Sequence, residues 1–365
     1  MVTIFGESAG SSSVSLLNLS PLATGLYRRS IMESGQSLAL WAITYPGDRV
    51  DSRTLARLVA VGVGCTNLED STALLGCLQT KDANLLLNVS TSIVAALETF
   101  MVWKPRVDGP TGFLPATPPR LLAQGRVNHV DTLRGFNVDE VGGLLTPGLV
   151  DTFATRANLK PIVGAYLTGF TSLDASYLAD YIIKTSIPPT ATGVDLQKAA
   201  ADAVEDYAHI APNILEIQEA VRRVPDRSHY LYEFDHKPSR NNGVSVTPSW
   251  VSAVHGDELQ FVFNASLKEF VDFYSGQQPS ADDVVVSVQM MDMWTNFAKT
   301  GDPTSTIPPG AAVWRPFTLT QQNILHINTT SALKQWSRPE IFGFYQEFIK
   351  LLDGEDSVSA GGIVG

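Results

Sequence analysis

The chain has 365 residues with a formal net charge of −11, 44% hydrophobic and 17% charged residues. That balance suits a globular protein with a sizeable core, and its negative sign argues against nucleic acid, whose binding needs a basic surface to displace counterions. No apolar run approaches the roughly 20 residues of a membrane-spanning helix, and Val2 to Phe5 is too short for a secretion signal and lacks its basic flank.

Val2-Thr3-Ile4-Phe5 is β-branched and aromatic and reads as a strand, and Ala9 to Leu19 carries the small and apolar residues of a helix. Between them stands Gly6-Glu7-Ser8-Ala9-Gly10. A Gly-x-Ser-x-Gly run forms a nucleophile elbow when a strand enters it and a helix leaves it. The outer glycines are expected to let packed backbone come close, while the turn holds the Ser8 hydroxyl toward a substrate carbonyl. A Gly/Ser-rich turn without chemistry fits the same five residues, so context must decide.

Arg29 to Glu33 reads as the next strand, followed by a helix near Asp51 to Val63. Cys65 and Cys77 are the only cysteines. Their spacing suits a disulfide closing a short loop and suits two buried thiols equally well. Asn-x-Ser/Thr sequons occur at Asn18, Asn88, Asn264 and Asn328. Asn18 sits in the apolar helix ahead of Pro21, so the other three are the glycosylation candidates.

An extended stretch follows at Thr132 to Phe136, then helices around Asp195 to Glu205 and Ile214 to Arg222, and a strand at His229 to Phe234. The clearest helix spans Ala281 to Thr300, with Ser280 and Asp283 as a capping box and Gly301 and Pro303 ending it. Val284, Val288, Met291, Trp294, Phe297 and Ala298 recur at helical spacing and are expected in its core stripe. A last helix near Arg338 to Leu352 carries Ile341, Phe344, Tyr345, Phe348 and Leu351 on one side. Alternating strands and helices imply an α/β fold, a mainly parallel sheet with helices on both faces.

A nucleophilic Ser8 needs a base, and the base needs an orienting acid. Of six histidines, His129 and His236 fall in connections, His229 at a strand start and His326 between apolar residues. His209, beside Ile210 and Pro212, reads as core. His255 differs, because Ser252-Ala253-Val254-His255-Gly256-Asp257-Glu258 is the pattern of a loop aiming a side chain into a cleft. For the acid, Asp139 and Glu140 lie just beyond the strand in Gly135-Phe136-Asn137-Val138-Asp139-Glu140-Val141-Gly142. Strand C-termini are where α/β sites form, although Asp139 fits a helix N-cap as well.

These runs, with Tyr27-Arg28-Arg29-Ser30-Ile31-Met32-Glu33-Ser34-Gly35, Phe261-Val262-Phe263, Phe297-Ala298-Lys299-Thr300-Gly301-Asp302-Pro303 and Trp314-Arg315-Pro316-Phe317, resemble the type-B carboxylesterase and cholinesterase family. The resemblance covers nearly the whole chain, in order, and implies the α/β-hydrolase fold. It implies Ser8 as nucleophile, His255 as general base, Glu140 rather than Asp139 as triad acid, and the Ala9 amide as an oxyanion donor. Glu7 matches a buried carboxylate beside the serine. Cys65 and Cys77 match a family disulfide, which favours an oxidised pair and a secretory route. Trp41 falls where the family places an acyl-pocket wall, and Phe100, Met101 and Trp103 are expected to line the same pocket or to be ordinary core.

The departures matter as much. The family's first strands, its Gly-rich oxyanion loop and an earlier disulfide lie upstream of the elbow and are missing here, and Asn264 stands where glycine usually follows Phe-Val-Phe. The expectation is an N-terminally truncated member, residues 1–352 forming the C-terminal portion of one α/β-hydrolase domain and residues 353–365 a flexible tail. The expected function is carboxylic-ester hydrolysis through an acyl-enzyme, impaired in this chain, with no metal or organic cofactor needed. The expected partner is a small-molecule ester, with no nucleic acid and no transmembrane segment. The rival reading is a non-catalytic, cholinesterase-like adhesion protein.

Overall fold

The computed structural model describes residues 2–45, 51–97, 103–144, 155–168, 175–240 and 247–336, with Arg338 and Tyr345. A six-stranded sheet follows chain order: β1 (Thr3–Glu7), β2 (Arg29–Glu33), β3 (Asp131–Asn137), β4 (His229–Phe234), β5 (Asn323–Ile327) and β6 (Ala332–Gln335). β1 to β5 are mutually parallel and β6 returns antiparallel to β5. The helices are α1 (Ala9–Leu19), α2 (Ser52–Gly62), α3 (Ser71–Gln79), α4 (Ala83–Ala96), α5 (Pro118–Ala123), α6 (Arg156–Thr168) and α7 (Ala175–Ser186). Then come α8 (Gly193–Glu205), a π turn at Asp206–Ile210, α9 (Ala211–Arg223), α10 (Leu259–Val262), α11 (Lys268–Phe273) and α12 (Ala281–Thr300).

The period-two alternation of strands sorts β3 between two layers. Leu133 packs with Tyr230, Val286, Met290 and Phe297 on the α12 face, and Phe136 with Ile210, Ile214 and Ile217 on the other. Helices therefore cover both faces of a mainly parallel sheet. β1 has a pairing partner on one side among the described residues. Val2 and Phe5 are about half exposed there, and the Phe5 ring lies 5.8 Å from that of Phe263.

Cys65 and Cys77 form a disulfide that joins the turn after α2 to α3, beside Ala60, Val63 and Leu74. Aspartates at 51, 70 and 82 accept from backbone amides and cap α2, α3 and α4. The expected helix at 338–352 lies outside the described residues apart from Arg338, paired with Asp206, and Tyr345, whose hydroxyl donates to the Leu38 carbonyl. The expected tail, 353–365, lies outside them too.

α12 has the expected bounds and capping box, but its core face differs from the expected stripe. Trp294 and Phe297 are buried as expected and Met291 and Ala298 partly so, but Val284 and Val288 are about 40% exposed, and Val286, Met290 and Met293 are buried in their place. Three consecutive valines leave the helical phase ambiguous in the sequence; the buried Asp283 settles it. Its carboxylate accepts from His236 Nε2 at 2.8 Å and from the Ser239 hydroxyl, besides closing the capping box. Burial works against ionisation, but these hydrogen bonds outweigh it and hold Asp283 well below the usual carboxylate range. A depressed folded-state pKa stabilises above the ordinary value of ~3.9 and stops doing so as the pH falls through the folded value. Asp283→Ala is expected to cost at least the ~0.5–2 kcal/mol of a lost cap and to flatten the acid limb of stability. Urea unfolding at pH 7 and pH 3 checks both.

Candidate active site

The sheet register builds the site. Glu7 lies opposite Glu33, Glu33 opposite Gly135, and Gly135 opposite Tyr232, one row on one face near the C-terminal ends of four strands. Hydrogen bonding continues past the strand ends, with Ser8 N donating to the Glu33 carbonyl and Ser34 N to the Gly135 carbonyl, both at 2.9 Å. Ser8 itself has φ 57° and ψ −121°, a strained turn from β1 into α1. A Cβ on Gly6 would come within 2.5 Å of the Gly10 carbonyl carbon, and one on Gly35 would overlap the Ser8 carbonyl. Gly10 has open space instead, so of the two elbow glycines only Gly6 is dictated by packing.

The Ser8 hydroxyl lies 2.7 Å from His255 Nε2, and His255 Nδ1 lies 2.6 Å from Glu140 Oε2. Each partner is held by its own loop. Glu140 Oε1 accepts from the Asn137 amide at 2.8 Å, Asn137 Nδ2 donates to the Val254 carbonyl at 2.7 Å, and His255 N donates to the Glu140 carbonyl. Asp139 turns the other way and accepts from Ser252 N. Ser8 is the N-cap residue of α1, so the Ala9 amide belongs to the helix's first turn, where donors lack intrahelical partners and the dipole favours negative charge.

Carboxyl groups surround this line. Glu7 Oε1 is 3.3 Å from His255 Nε2. Glu7 is partly buried rather than fully so, and burial raises its pKa against the pull of His255. Glu33 accepts from Trp294 Nε1 at 2.9 Å, and burial lifts it to about 7. Glu258 accepts from Asn137 Nδ2, and burial raises its pKa well above the usual carboxylate range. Burial opposes protonation of His255, but Glu140, with its hydrogen bond, and then Glu7 and Glu258 outweigh that and raise the imidazole to about 9. Burial also opposes ionisation of Glu140, and the neighbouring imidazoles of His209 and His255 reverse it. Since burial lowers His209 to about 4, the charged partner of Glu140 at neutral pH is His255.

Sequence reasoning missed His209, Glu33 and Glu258. The His209 ring lies 5.1 Å from the His255 ring, and its Nδ1 donates to the Ser34 carbonyl at 3.2 Å. It is carried by the π turn, whose extra residue re-aims the chain between α8 and α9. Pro212 is the signal in the sequence: it has no N–H to give the Ala208 carbonyl, and Trp41 Nε1 donates there instead at 3.1 Å. Trp41 is therefore buried and packs against His209, its ring 5.7 Å away.

Trp103 is half exposed and donates to Ser90 on α4, with no described contact to Ser8 or His255. Phe100 and Met101 lie outside the described residues. Of the sequon asparagines, Asn88 is exposed on α4, while Asn264 and Asn328 are half-buried. Asn328 donates to the Asp235 carbonyl, and Asn18 is buried. Asn264 has φ 76°, which explains the fit of glycine at that position. Two clefts of about 770 and 800 Å³ lie elsewhere, one beside Leu26 and His129, the other beside Leu75 and Arg106. No helix among the described residues is long and apolar enough to cross a membrane.

A sequence profile described as the carboxylesterase family matches residues 1–344. Carboxylesterase 5A of Felis catus is 32% identical over 345 residues, 92% of this chain and 58% of that protein. Cholinesterase of Mus musculus is 31% identical, covering 90% of this chain and 52% of that one. Bile salt-activated lipase of Bos taurus is 30% identical, covering 98% and 59%. The chain thus spans little more than half the length of these relatives.

Proposed function

The chain belongs to the carboxylesterase family, and from that membership we propose that it carries the machinery of a serine carboxylic-ester hydrolase. The observation that carries this reading is the unbroken line from the Ser8 hydroxyl through His255 to Glu140, 2.7 and 2.6 Å per step. His255 Nε2 takes the Ser8 proton as Ser8 attacks the ester carbonyl, while Glu140 keeps the Nδ1–H tautomer and stabilises the imidazolium. The Ala9 amide donates to the developing oxyanion. The alcohol leaves with the proton from His255, and water activated by the same nitrogen releases the acid. Labelling with a fluorophosphonate and mapping the modified peptide tests this: the label belongs on Ser8. Its absence there would favour a family member that only binds.

The substrate on this reading is a small carboxylic ester, with Trp41 as the proposed acyl-side wall. We also assign residues 1–352 to the C-terminal portion of a single α/β-hydrolase domain. The Cys65–Cys77 disulfide supports a secretory route, with Asn88 the most accessible of the proposed glycosylation sites.

Hydrolysis needs His255 neutral, so kcat/KM is expected to rise with pH. The surrounding carboxylates place the midpoint above the free imidazole value of ~6.5. Glu7→Gln removes the negative charge 3.3 Å from Nε2 and is expected to move that midpoint down. A midpoint that stays put or climbs would exclude Glu7 from this role.

The 365-residue chain by itself is expected to turn over a short-chain aryl ester far below the usual ~1–10³ per second. On the family resemblance, the remaining oxyanion donors come from a Gly-rich loop that these residues do not include, and each missing donor costs ~10²–10³ in rate. Ordinary turnover by the isolated chain would overturn that view.

A further inference from the structure

Building on the assignment of His255 as the base, we propose that Glu140, His209 and His255 together form a zinc-type cation site whose occupation blocks Ser8 chemistry. One carboxylate oxygen and one ring nitrogen from each histidine all lie within 4.8 Å of one another. Two imidazoles and a carboxylate are a donor set that Zn²⁺ accepts, leaving a fourth position open. Mg²⁺ and Ca²⁺ prefer oxygen donors, so the set also discriminates.

His209 carries the features of a ligand. Its Nδ1–H is spent on the Ser34 carbonyl, which leaves the lone pair on Nε2. Such a backbone hydrogen bond from the other ring nitrogen is how proteins orient metal-binding imidazoles. The proposed hydrolysis routes no proton through His209, which meets the site through its hydrogen bond to the Ser34 carbonyl and its ring contacts with His255 and Trp41. Bonds of ~2.0–2.2 Å would bring tetrahedral donors to roughly 3.3–3.5 Å of one another, so the three must close in. His255 can move: its side chain is one-third exposed and stands on a loop, whereas Glu140 is buried. The nearby Glu7 carboxylate adds negative charge.

Blockade follows whichever nitrogen of His255 binds. Coordination through Nδ1 releases to solvent the proton shared with Glu140 and breaks the orienting bond. Coordination through Nε2 releases to solvent the proton that nitrogen carries in the charged imidazole and occupies the lone pair that would receive the Ser8 proton.

The test uses the purified 365-residue chain, with Zn²⁺ binding measured by equilibrium dialysis and Ser8 reactivity by the rate of fluorophosphonate labelling. The expected result is about one zinc bound, labelling slowed at least ~10-fold, recovery with a chelator, and no response to Mg²⁺. His209→Leu, and His209→Gln should the leucine variant misfold, are expected to weaken zinc binding by more than the ~10–100-fold that loss of an outer-shell partner costs, and each variant's labelling rate is expected to be unchanged by zinc relative to its own metal-free rate. A wild-type chain that binds no zinc, or a folded His209 variant that binds it equally well, would overturn the proposal. Normal zinc binding with no labelling in the metal-free chain would uphold the cation site but overturn its proposed blockade of Ser8 chemistry.

Discussion

Replacing Ser8 with alanine is expected to lower ester hydrolysis by several orders of magnitude in a polypeptide extending this chain to the full length of its relatives. Members of such a set act as a unit, and loss of one costs on the order of 10⁶ in the best-measured serine hydrolase. His255→Ala should cost about as much, because the hydroxyl 2.7 Å from its Nε2 then has no proton acceptor. Neither change should unfold the protein. The Ser8 side chain makes no cap hydrogen bond to α1, alanine accepts the strained backbone as serine does, and His255 stands on a loop. Steady-state rates on an aryl ester, with melting curves alongside, decide the matter. A variant retaining near-wild-type rates would remove that residue from the mechanism.

Glu216→Ala is expected to be the most destabilising single change outside the site. Glu216 on α9 forms an ion pair at 3.1 Å with Arg134 on β3, and both side chains are almost wholly buried. The same carboxylate accepts from the Ser15 hydroxyl on α1, from the Ser37 hydroxyl at 3.0 Å and from the Leu38 amide. It thus ties β3, the helix that follows the elbow and the segment leading to Trp41. Removing it leaves the guanidinium buried without its counter-charge, which typically costs about 3–5 kcal/mol. Replacing both partners together, as Arg134→Met with Glu216→Leu, should cost much less, since no charge is then stranded. Urea unfolding of the unmodified protein and the two variants tests this. A loss below about 1 kcal/mol in Glu216→Ala would show that the pair is not what holds α1 in place.

Local information carried far in this chain. The β2 bounds, the α12 bounds and its capping box follow from propensity, capping and stop signals within a few residues. So does the elbow, where Gly6 must be small because of backbone four residues on. Local pattern singled out Ser8, His255 and the Asp139–Glu140 pair, and the family resemblance chose Glu140 and linked three residues spread over 248 positions that spacing alone could not. Tertiary structure decided what depends on register and rotation. Only the pairing of four strands sets Glu7, Glu33, Gly135 and Tyr232 in one row, and only burial there makes Glu33 a weak acid. Only contacts across the fold, those of Asp283 and of the buried Val286, Met290 and Met293 among them, leave Val284 and Val288 facing outward. His209 reads as an ordinary core residue because its neighbours in sequence are apolar. What it meets is fixed by a π turn and by parts of the chain more than forty residues away, and no local pattern encodes such contacts.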